Sequence, residues 1–305
     1  MESKIFKFVI LMVMSACYLN AQDNVVTFTV GSSAVTLLSE GQRMSGTNIL
    51  VGATDEMIKQ AIPDGTYPGA TNVFLVEKED KVILIDAGLG AKTIENLEFY
   101  GKKTSDIDAV FITHFHGDHI GSLLLNKVKS FPKAKLYVPK PEYDYYVSDE
   151  ILNNMPENRR GGIMSVRQIL NAYKDQLIVF TPAEIANATE LITGLKGVAA
   201  YGHTPGHTGF LLESDESKLF FWGDLTHAMA IQMPFPEVAM TYDSDTGKAI
   251  ETRQKLLIYL LANNIRIAGA HIPFPGIGFL SKKNTGGYYF TPLCSCEGRF
   301  PDIKR

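Results

Sequence analysis

The stretch THFHGDHIGS places three histidines and one aspartate within six consecutive positions. His114 and His116 are two residues apart, so an extended backbone directs both rings to the same side. Gly117 permits a sharp turn that would aim Asp118 and His119 at a neighbouring point. Imidazole and carboxylate groups suit Zn²⁺ and similar divalent ions. The stretch therefore indicates one part of a metal site.

The other histidines also follow predicted strands in short loops, as does a second aspartate: His203, His207, His227, His271 and Asp224. Loops at one end of a sheet converge, so residues distant in sequence can share a site. A catalytic zinc takes about three protein ligands. The surplus of candidates indicates two ions about 3.5–4 Å apart. For His207 and His227, an ordinary hydrogen-bonded structural role stays open beside a supporting or substrate-contacting one.

The elements that would position these residues alternate between strands and helices. A hairpin is predicted from NVVTFTVGSSAVTLLSEG, with its turn at Gly31, and an amphipathic helix from TGKAIETRQKLLIYLLANN. A helix is also predicted from Ile120 to Val128. Two further helical stretches are predicted between Pro141 and Gln176, broken at Gly161–Gly162. Because several neighbouring strands form hairpins, an α/β fold with mixed sheets is expected.

The first 21 residues, 1–21, are typical of a secretory signal peptide. Two lysines precede an apolar run from Phe8 to Leu19, and Ala21 offers a small residue for cleavage. The run is too short for a transmembrane helix, which needs about 20 apolar residues. We expect an exported protein, periplasmic or secreted, with a single domain over residues 22–305. Lipidation at Cys17 and a buried N-terminal strand are the alternatives.

Composition and charge exclude some classes of protein. The chain has 305 residues, of which 45% are apolar and 20% charged, as in ordinary globular proteins. A net charge of −4 leaves no basic surplus, so we expect no nucleic-acid partner. After cleavage only Cys294 and Cys296 would remain, too few for a zinc cage. The core itself must then hold the fold.

Five motifs in a fixed order carry a family resemblance. They are Asp86 in IDAGLG, the HxHxDH motif at His114–His119, His203 in GHTPGHTG, Asp224 in WGDLTH and His271 in GAHIPFPG. From about Val73 to the C-terminus, the chain resembles the metallo-β-lactamase-fold hydrolases. The resemblance implies an αββα sandwich of mixed sheets flanked by helices, with the metals at one edge.

The resemblance also implies a role for each site residue. Two divalent ions are expected. Zn²⁺ is the first expectation, and the ligand set would also accept Mn, Fe or Co. The implied ligands are His114, His116 and His203 for the first ion, Asp118, His119 and His271 for the second, and Asp224 for both. Asp86 would orient a ligand and His207 would support the site.

Asp224 narrows the reaction class. The β-lactamases of this fold carry Cys or Ser at that place, whereas Asp resembles the family's thioester, lactone and phosphotriester hydrolases. The stretches GDLTHAMAIQ, YDSD and AHIPFPGIG resemble the subgroup of this family that contains methyl parathion hydrolase and the related secreted acyl-homoserine-lactone hydrolases. Many lactonases have Tyr three residues after the bridging Asp, where this chain has His227. The His227 imidazole could hydrogen-bond the same substrate carbonyl.

We therefore predict a lactonase that opens N-acyl-homoserine lactones by attack of a hydroxide held between the metals. Asp118 or Asp224 would hold the nucleophile's proton and pass it to the leaving group. Phosphotriesterase, β-lactamase and thioesterase activities, or a metal-binding module without turnover, are the alternatives. The predicted partner is a small-molecule ester, and a homodimer stays open.

A predicted pocket wall is less specific, because core packing explains the same residues equally well. The candidates are aromatic and Met side chains that flank ligands, follow Asp224 or lie on a possible lid: Phe115, Met233, Phe235, Phe274, Tyr143, Tyr145 and Tyr146.

Overall fold

The structure is a computed structural model that describes residues 24–293. The predicted signal peptide with Cys17, and the pair Cys294 and Cys296, lie outside the described residues. Cleavage and export therefore stay predictions.

The strands of the described residues are short and rich in Val, Ile, Leu and Phe, which suit a pleated, buried surface. They are β1 (Val25–Val30), β2 (Ser33–Gly46), β3 (Leu50–Val51), β4 (Thr66–Lys78), β5 (Lys81–Ile85), β6 (Ala109–Phe111), β7 (Leu124–Leu125), β8 (Val128–Lys129), β9 (Lys135–Pro139), β10 (Leu177–Phe180), β11 (Thr189–Ile192), β12 (Leu195–Ala199), β13 (Thr208–Ser214), β14 (Ser217–Phe221), β15 (Ala239–Met240), β16 (Arg266–Ala268), β17 (Ile277–Lys282) and β18 (Tyr288–Pro292).

The helices lie between these strands and several are short. They are α1 (Asp55–Ala61), α2 (Ala91–Tyr100), α3 (Gly117–Ile120), α4 (Lys140–Val147), α5 (Asp149–Asn154), α6 (Glu157–Ala172), α7 (Met229–Gln232) and α8 (Thr246–Ala262). None of the helices in the described part of the chain is long and apolar enough to cross a membrane.

Two seven-stranded sheets form the centre of the molecule. The first has the order β1-β2-β4-β5-β6-β9-β10 and the second β11-β12-β13-β14-β16-β17-β18. Strands β5, β6, β9 and β10 pair in parallel, as do β14 and β16, whereas the hairpins pair antiparallel. Both sheets are therefore mixed, as predicted.

Alternate side chains of each sheet bury in different layers. On β4, Phe74 and Val76 join the core between the two sheets, whereas Val73 and Leu75 join the core beneath α2 and α6. The second sheet packs its outer face on Leu256, Leu257 and Leu260 of α8. The layers are helix, sheet, sheet and helix, so the predicted αββα sandwich is confirmed.

The N-terminal hairpin and the helix α8 are also confirmed. Strands β1 and β2 pair up to Val30 and Ser33 around the predicted turn. The side chain of Asp245 caps α8 by accepting a hydrogen bond from the backbone N–H of Lys248, at 2.8 Å.

The helix predicted from Ile120 to Val128 is wrong. Helix α3 ends at Ile120, and the hairpin of β7 and β8 follows it. Asn126 and Lys127 both have positive φ, 50° and 64°, at the tip of this hairpin. Two consecutive positive φ angles form the tight turn that matches strand twist. This local turn replaces the helix that apolar spacing alone had indicated.

The break predicted at Gly161–Gly162 is also wrong, because α6 continues through both glycines. Its buried face consists of Ile163, Val166, Ile169 and Leu170. Packing of this helical stripe against the first sheet outweighs the roughly 0.5–1 kcal/mol that each glycine costs a helix relative to alanine.

Candidate metal centre

The predicted site residues meet where strands of both sheets end. Strands β5 and β6 run parallel in the first sheet, and β14 and β16 run parallel in the second, so their carboxyl ends open into one cleft. Each site residue lies just after such a strand or in the neighbouring β12–β13 loop: Asp86 after β5, His114 to His119 after β6, His203 and His207 before β13, Asp224 and His227 after β14, and His271 after β16.

The Asp224 carboxylate lies at the centre of the cluster and is buried. Its Oδ1 lies 3.1 Å from Nε2 of His119. Its Oδ2 is surrounded by the Nε2 atoms of His114 at 3.5 Å, His203 at 3.2 Å, His271 at 3.2 Å and His227 at 2.8 Å. Five imidazoles from both sheets thus face one carboxylate.

The cluster divides into sets that could each hold an ion. The donor atoms within each set lie within 4.8 Å of one another: His114, His116, His203 and Asp224; Asp118, His119 and His271; and Asp224, His227 and His271. The structure brings together all seven residues that the sequence proposed as metal ligands.

The donor chemistry fits metal ions. Nε2 of His114, Nε2 of His119 and Oδ1 of Asp224 are buried and make no well-aligned hydrogen bond, although Nε2 of His119 lies 3.1 Å from Oδ1 of Asp224. Buried polar atoms without partners are costly, so natural proteins rarely keep them. Convergence of such atoms on a shared point is the arrangement that a divalent cation would satisfy. The cluster is therefore able to bind metal ions.

Asp86 orients His119, as the resemblance implied it would orient a ligand. Its Oδ2 accepts a hydrogen bond from Nδ1 of His119 at 2.7 Å. Thr113 holds the same carboxylate with its backbone N–H at 2.8 Å and its hydroxyl at 2.9 Å. Because Nδ1 donates to Asp86, Nε2 of His119 faces Asp224 and is left for an ion. Many metal-bound histidines donate their other ring nitrogen to a carboxylate in the same way.

Two further partners orient ligands, and sequence reasoning missed both. Nδ1 of His203 donates to Asp243 Oδ1 at 2.8 Å, and Nδ1 of His271 donates to the carbonyl of Ala70 at 2.8 Å. The YDSD stretch was the one signal for Asp243. The carbonyl of Ala70 is a backbone group of the first sheet, so the residue type gives no sign of its role.

His207 supports Asp224 through the backbone. Its Nδ1 donates to the carbonyl of Ala200 at 2.8 Å, and its Nε2 accepts the backbone N–H of Asp224 at 2.9 Å. Burial, with His203 nearby, lowers the pKa of His207 to about 3, so the ring stays neutral. Both nitrogens are thus occupied and His207 offers none to an ion.

His227 lies between the cluster and the cavity. Its ring stacks on His271 with centroids 4.8 Å apart and meets Tyr242 at 4.9 Å. Burial lowers the pKa of His227 to about 4 even though Asp224 opposes the shift, and its Nδ1 has no hydrogen-bond partner. Nε2 of this neutral ring donates to Asp224 Oδ2 at 2.8 Å, so the ring has no second N–H for a substrate oxygen, and its Nδ1 is free to act as an acceptor or a metal ligand.

Burial and charge together set the protonation of the cluster. Burial lowers the pKa of His116 to about 3. For His203, hydrogen bonds with Asp224 and Asp243 outweigh burial and raise the pKa to about 9. Burial would raise the pKa of Asp224, but the surrounding imidazoles, His119 first, hold it well below its usual value. The central carboxylate is therefore ionised at neutral pH.

Two cavities reach the cluster from opposite sides of His116 and Tyr242. The smaller, about 320 Å³, exposes the cluster and is closed on its other side by Arg43, Ser45, Ile49, Tyr67, Gly69 and Tyr242. The larger, about 780 Å³, lies under α4 and α6 and includes Phe115, Tyr145, Tyr146, Met155 and Arg159. Substrate can reach the cluster through these openings.

The predicted pocket residues are only partly at these openings. Phe115, Tyr145 and Tyr146 line the larger cavity. The structure places the other four in apolar packing. Met233 lies beneath α8 and beside a separate cavity, and Phe235 lies beside Ile62. Tyr143 packs against the first sheet, and Phe274 lies between the sheets. Residue type cannot separate core aromatics from pocket aromatics, and the actual wall comes from β2, β4 and Tyr242.

Comparison with known proteins shows what the chain is similar to. The sequence profile of the Metallo-beta-lactamase superfamily matches residues 66–271. The uncharacterized protein YobT of Bacillus subtilis (strain 168) is 30% identical over 142 residues, which are 46% of this chain and only 56% of YobT.

Two solved structures resemble the whole sandwich. The hydrolase AbOPH of the beta lactamase superfamily superposes with a TM-score of 0.81 at 26% identity, over 89% of this chain and 98% of AbOPH. AidC, a dizinc quorum-quenching lactonase in complex with a product N-hexanoyl-L-homoserine, superposes with a TM-score of 0.79 at 26% identity, over 90% of this chain and 99% of AidC.

Proposed function

Because this chain belongs to the metallo-β-lactamase superfamily and is a metal-dependent hydrolase, we propose that it opens lactone esters and that N-acyl-homoserine lactones are its substrates. The observation that carries the proposal is the position of the Asp224 carboxylate, which lies among five imidazoles and lines a cavity. The likeness to the dizinc lactonase AidC supports the same substrate class.

The donor sets indicate which residues would hold two ions, which we propose to be Zn²⁺. His114, His116 and His203 would hold one ion and Asp118, His119 and His271 the other. Asp224 would be shared, because it belongs to the first set and lies 3.1 Å from Nε2 of His119 and 3.2 Å from Nε2 of His271. When bound, two such ions would supply Lewis acidity for the ester carbonyl and would lower the pKa of a bound water.

The chain's own residues then handle the proton. Asp118 lines the smaller cavity, and its side chain is 22% exposed. Burial opposes ionisation of Asp118, but His119 and His271 hold its pKa below the usual value. The carboxylate can accept the water's proton as hydroxide attacks the carbonyl carbon. When the ring C–O bond breaks, the leaving alkoxide takes that proton and N-acyl-homoserine forms.

His227 and Tyr242 would orient the substrate. Both line the cavity beside Asp224. A hydrogen bond from the Tyr242 hydroxyl to the carbonyl oxygen would strengthen as negative charge develops there. The N–H of His227 is already used by Asp224, so this ring would contact the substrate without donating a hydrogen bond to it.

A substrate panel on the metal-loaded protein tests the proposal. We expect the highest kcat/KM on an N-acyl-homoserine lactone, with lower values on an aryl phosphotriester, a thioester and a chromogenic cephalosporin. Metal analysis alongside should find two ions per chain. A preference for any other substrate of the panel would refute the lactonase proposal.

Phosphotriester hydrolysis is the second candidate function. The guanidinium of Arg43 stands opposite the cluster in the cavity wall, and such a group recognises phosphoryl oxygens well. The same panel separates the two activities. We further propose that the protein is exported, which an N-terminal sequence of the purified native protein would test.

A further inference from the structure

Glu142 is a fully buried carboxylate that the reaction described above does not use. It lies on α4 and is 0% exposed. Placing a carboxylate inside a protein is costly unless hydrogen bonds satisfy it. A residue retained at such a cost is expected to have a specific task.

The hydrogen bonds of Glu142 connect two metal-binding loops. Oε1 accepts the backbone N–H of Phe115, the residue between His114 and His116, at 3.0 Å. Oε2 accepts the hydroxyl of Thr204, the residue after His203, at 2.7 Å, and the backbone N–H of Gly206 at 2.9 Å. One side chain thus fixes both loops that carry the ligands of the first ion.

The contact between α4 and the second loop is direct. A Cβ atom at Gly206 would overlap the backbone nitrogen of Glu142 and would lie 2.5 Å from its Cα. Only glycine allows this approach, so the loop sits on the helix backbone itself. Helix α4 therefore acts as a rigid reference for the spacing of the loops.

We propose that Glu142 is a positioning residue that holds His114, His116 and His203 ready for the first ion before the ion binds. The inference rests on the proposed function only in so far as the cluster binds metal. Because Asp86 and the carbonyl of Ala70 orient His119 and His271 independently, removing Glu142 should weaken the first ion more than the second, whose ligands Asp118 and His119 share the loop of His114 and His116.

The variant Glu142→Gln tests this asymmetry. Whichever way the amide is oriented, its NH₂ group faces the backbone N–H of Phe115 or of Gly206, and one bond is lost. We expect the affinity for the first Zn²⁺ to fall about 10-fold, the lower end of the range for losing a group that orients metal ligands, while the affinity for the second ion falls less. Chelator competition and the absorption spectrum of the Co²⁺-loaded protein measure the two sites.

Activity provides a further readout. With excess Zn²⁺, Glu142→Gln should regain wild-type kcat and KM, because the residue touches no substrate. Thr204→Val, which removes one donor at nearly constant volume, should weaken the same ion to a smaller extent. If Glu142→Gln does not fold, the same metal-binding measurements on Thr204→Val test the proposal.

Tyr173→Phe is the matched control for lost stability. It deletes a buried hydroxyl that donates to the carbonyl of Leu123 and accepts the N–H of Phe131, and both ions should bind normally. Equal loss of both ions in Glu142→Gln, or unchanged binding of both, would overturn the inference. Lack of lactone hydrolysis by the wild type would instead refute the proposed function and leave this inference standing.

Discussion

At the scale of single residues, the contacts of Asp224 determine what the site can do. Its carboxylate meets five imidazoles, and its backbone N–H is held by His207. A neutral or smaller side chain there would leave several imidazoles without a shared anion. The charge of this residue, more than its size, is therefore the critical property.

Asp224→Asn keeps the volume and removes the charge. We expect kcat/KM to fall about 100-fold or more, as when one preorganised electrostatic group is removed, and metal content to fall with it. Kinetics and metal analysis on the same preparation measure both. Asp144→Asn, which alters only the surface pair with Lys140, should behave as wild type; a similar loss in both variants would contradict the role of Asp224.

Tyr242→Phe tests the cavity wall at the same scale. The hydroxyl is the only group removed, so ring contacts with His203 and His227 persist. If the hydroxyl assists the carbonyl oxygen, kcat falls about 10–100-fold while KM changes little. A rise in KM at constant kcat would instead show that Tyr242 only binds the ground state.

At the scale of elements, short loops between rigid strands and helices set the ligand spacing. Helix α4 presses on the loop before β13, and α3 begins directly at the HxHxDH motif. The loops therefore have little freedom of their own. Changes in loop packing should affect metal binding even where no ligand is altered.

Gly206→Ala tests this dependence. The added methyl group overlaps the backbone of α4, so we expect destabilisation of about 1–3 kcal/mol, as in other overpacked interiors, together with weaker binding of the first ion. Thermal unfolding and chelator competition measure the two effects.

Gly161→Ala is the matched control for that substitution. Gly161 lies within α6, and a Cβ there meets no atom within 4 Å. The change should stabilise the protein by about 0.5–1 kcal/mol through helix propensity and leave metal binding intact. Destabilisation of both variants to the same degree would contradict the explanation.

At the scale of the whole molecule, metal binding and folding are coupled. The ligands come from both sheets, and several of their buried donor atoms have no hydrogen-bond partner. Ions that bind only the folded state stabilise it by about 2.7 kcal/mol at a free concentration 100 times Kd. Removing them with a chelator should lower Tm, and added Zn²⁺ should restore it. The same treatment should shift Tm much less in Asp224→Asn, and an equal shift in that variant would argue against this coupling.

Local patterns in the sequence predicted the mixed sheets and the gathering of the cluster, because strand-ending His and Asp motifs can be recognised from residue type and spacing. The αββα sandwich followed from the family resemblance. The sequence did not predict the cavity wall, since Arg43 and Tyr67 lie on a sheet region far from any motif and reach the site only through β2 and β4. Glu142 was missed because a lone Glu on a helix resembles a surface residue. At Asn126 and Lys127 the error was the opposite one: the two residues form a tight turn, a local preference that the apolar spacing of the surrounding residues concealed.

The division of the ligands between the sheets has a further consequence. His114, His116, Asp118 and His119 follow a strand of the first sheet, whereas His203, Asp224 and His271 come from the second. A cut in the exposed connection at Ala186, between β10 and β11, would yield two fragments, each with an incomplete set of donors. Neither fragment could then hold both ions alone, so metal binding would require the two fragments to associate. Hydrolysis by the mixed fragments would measure that association.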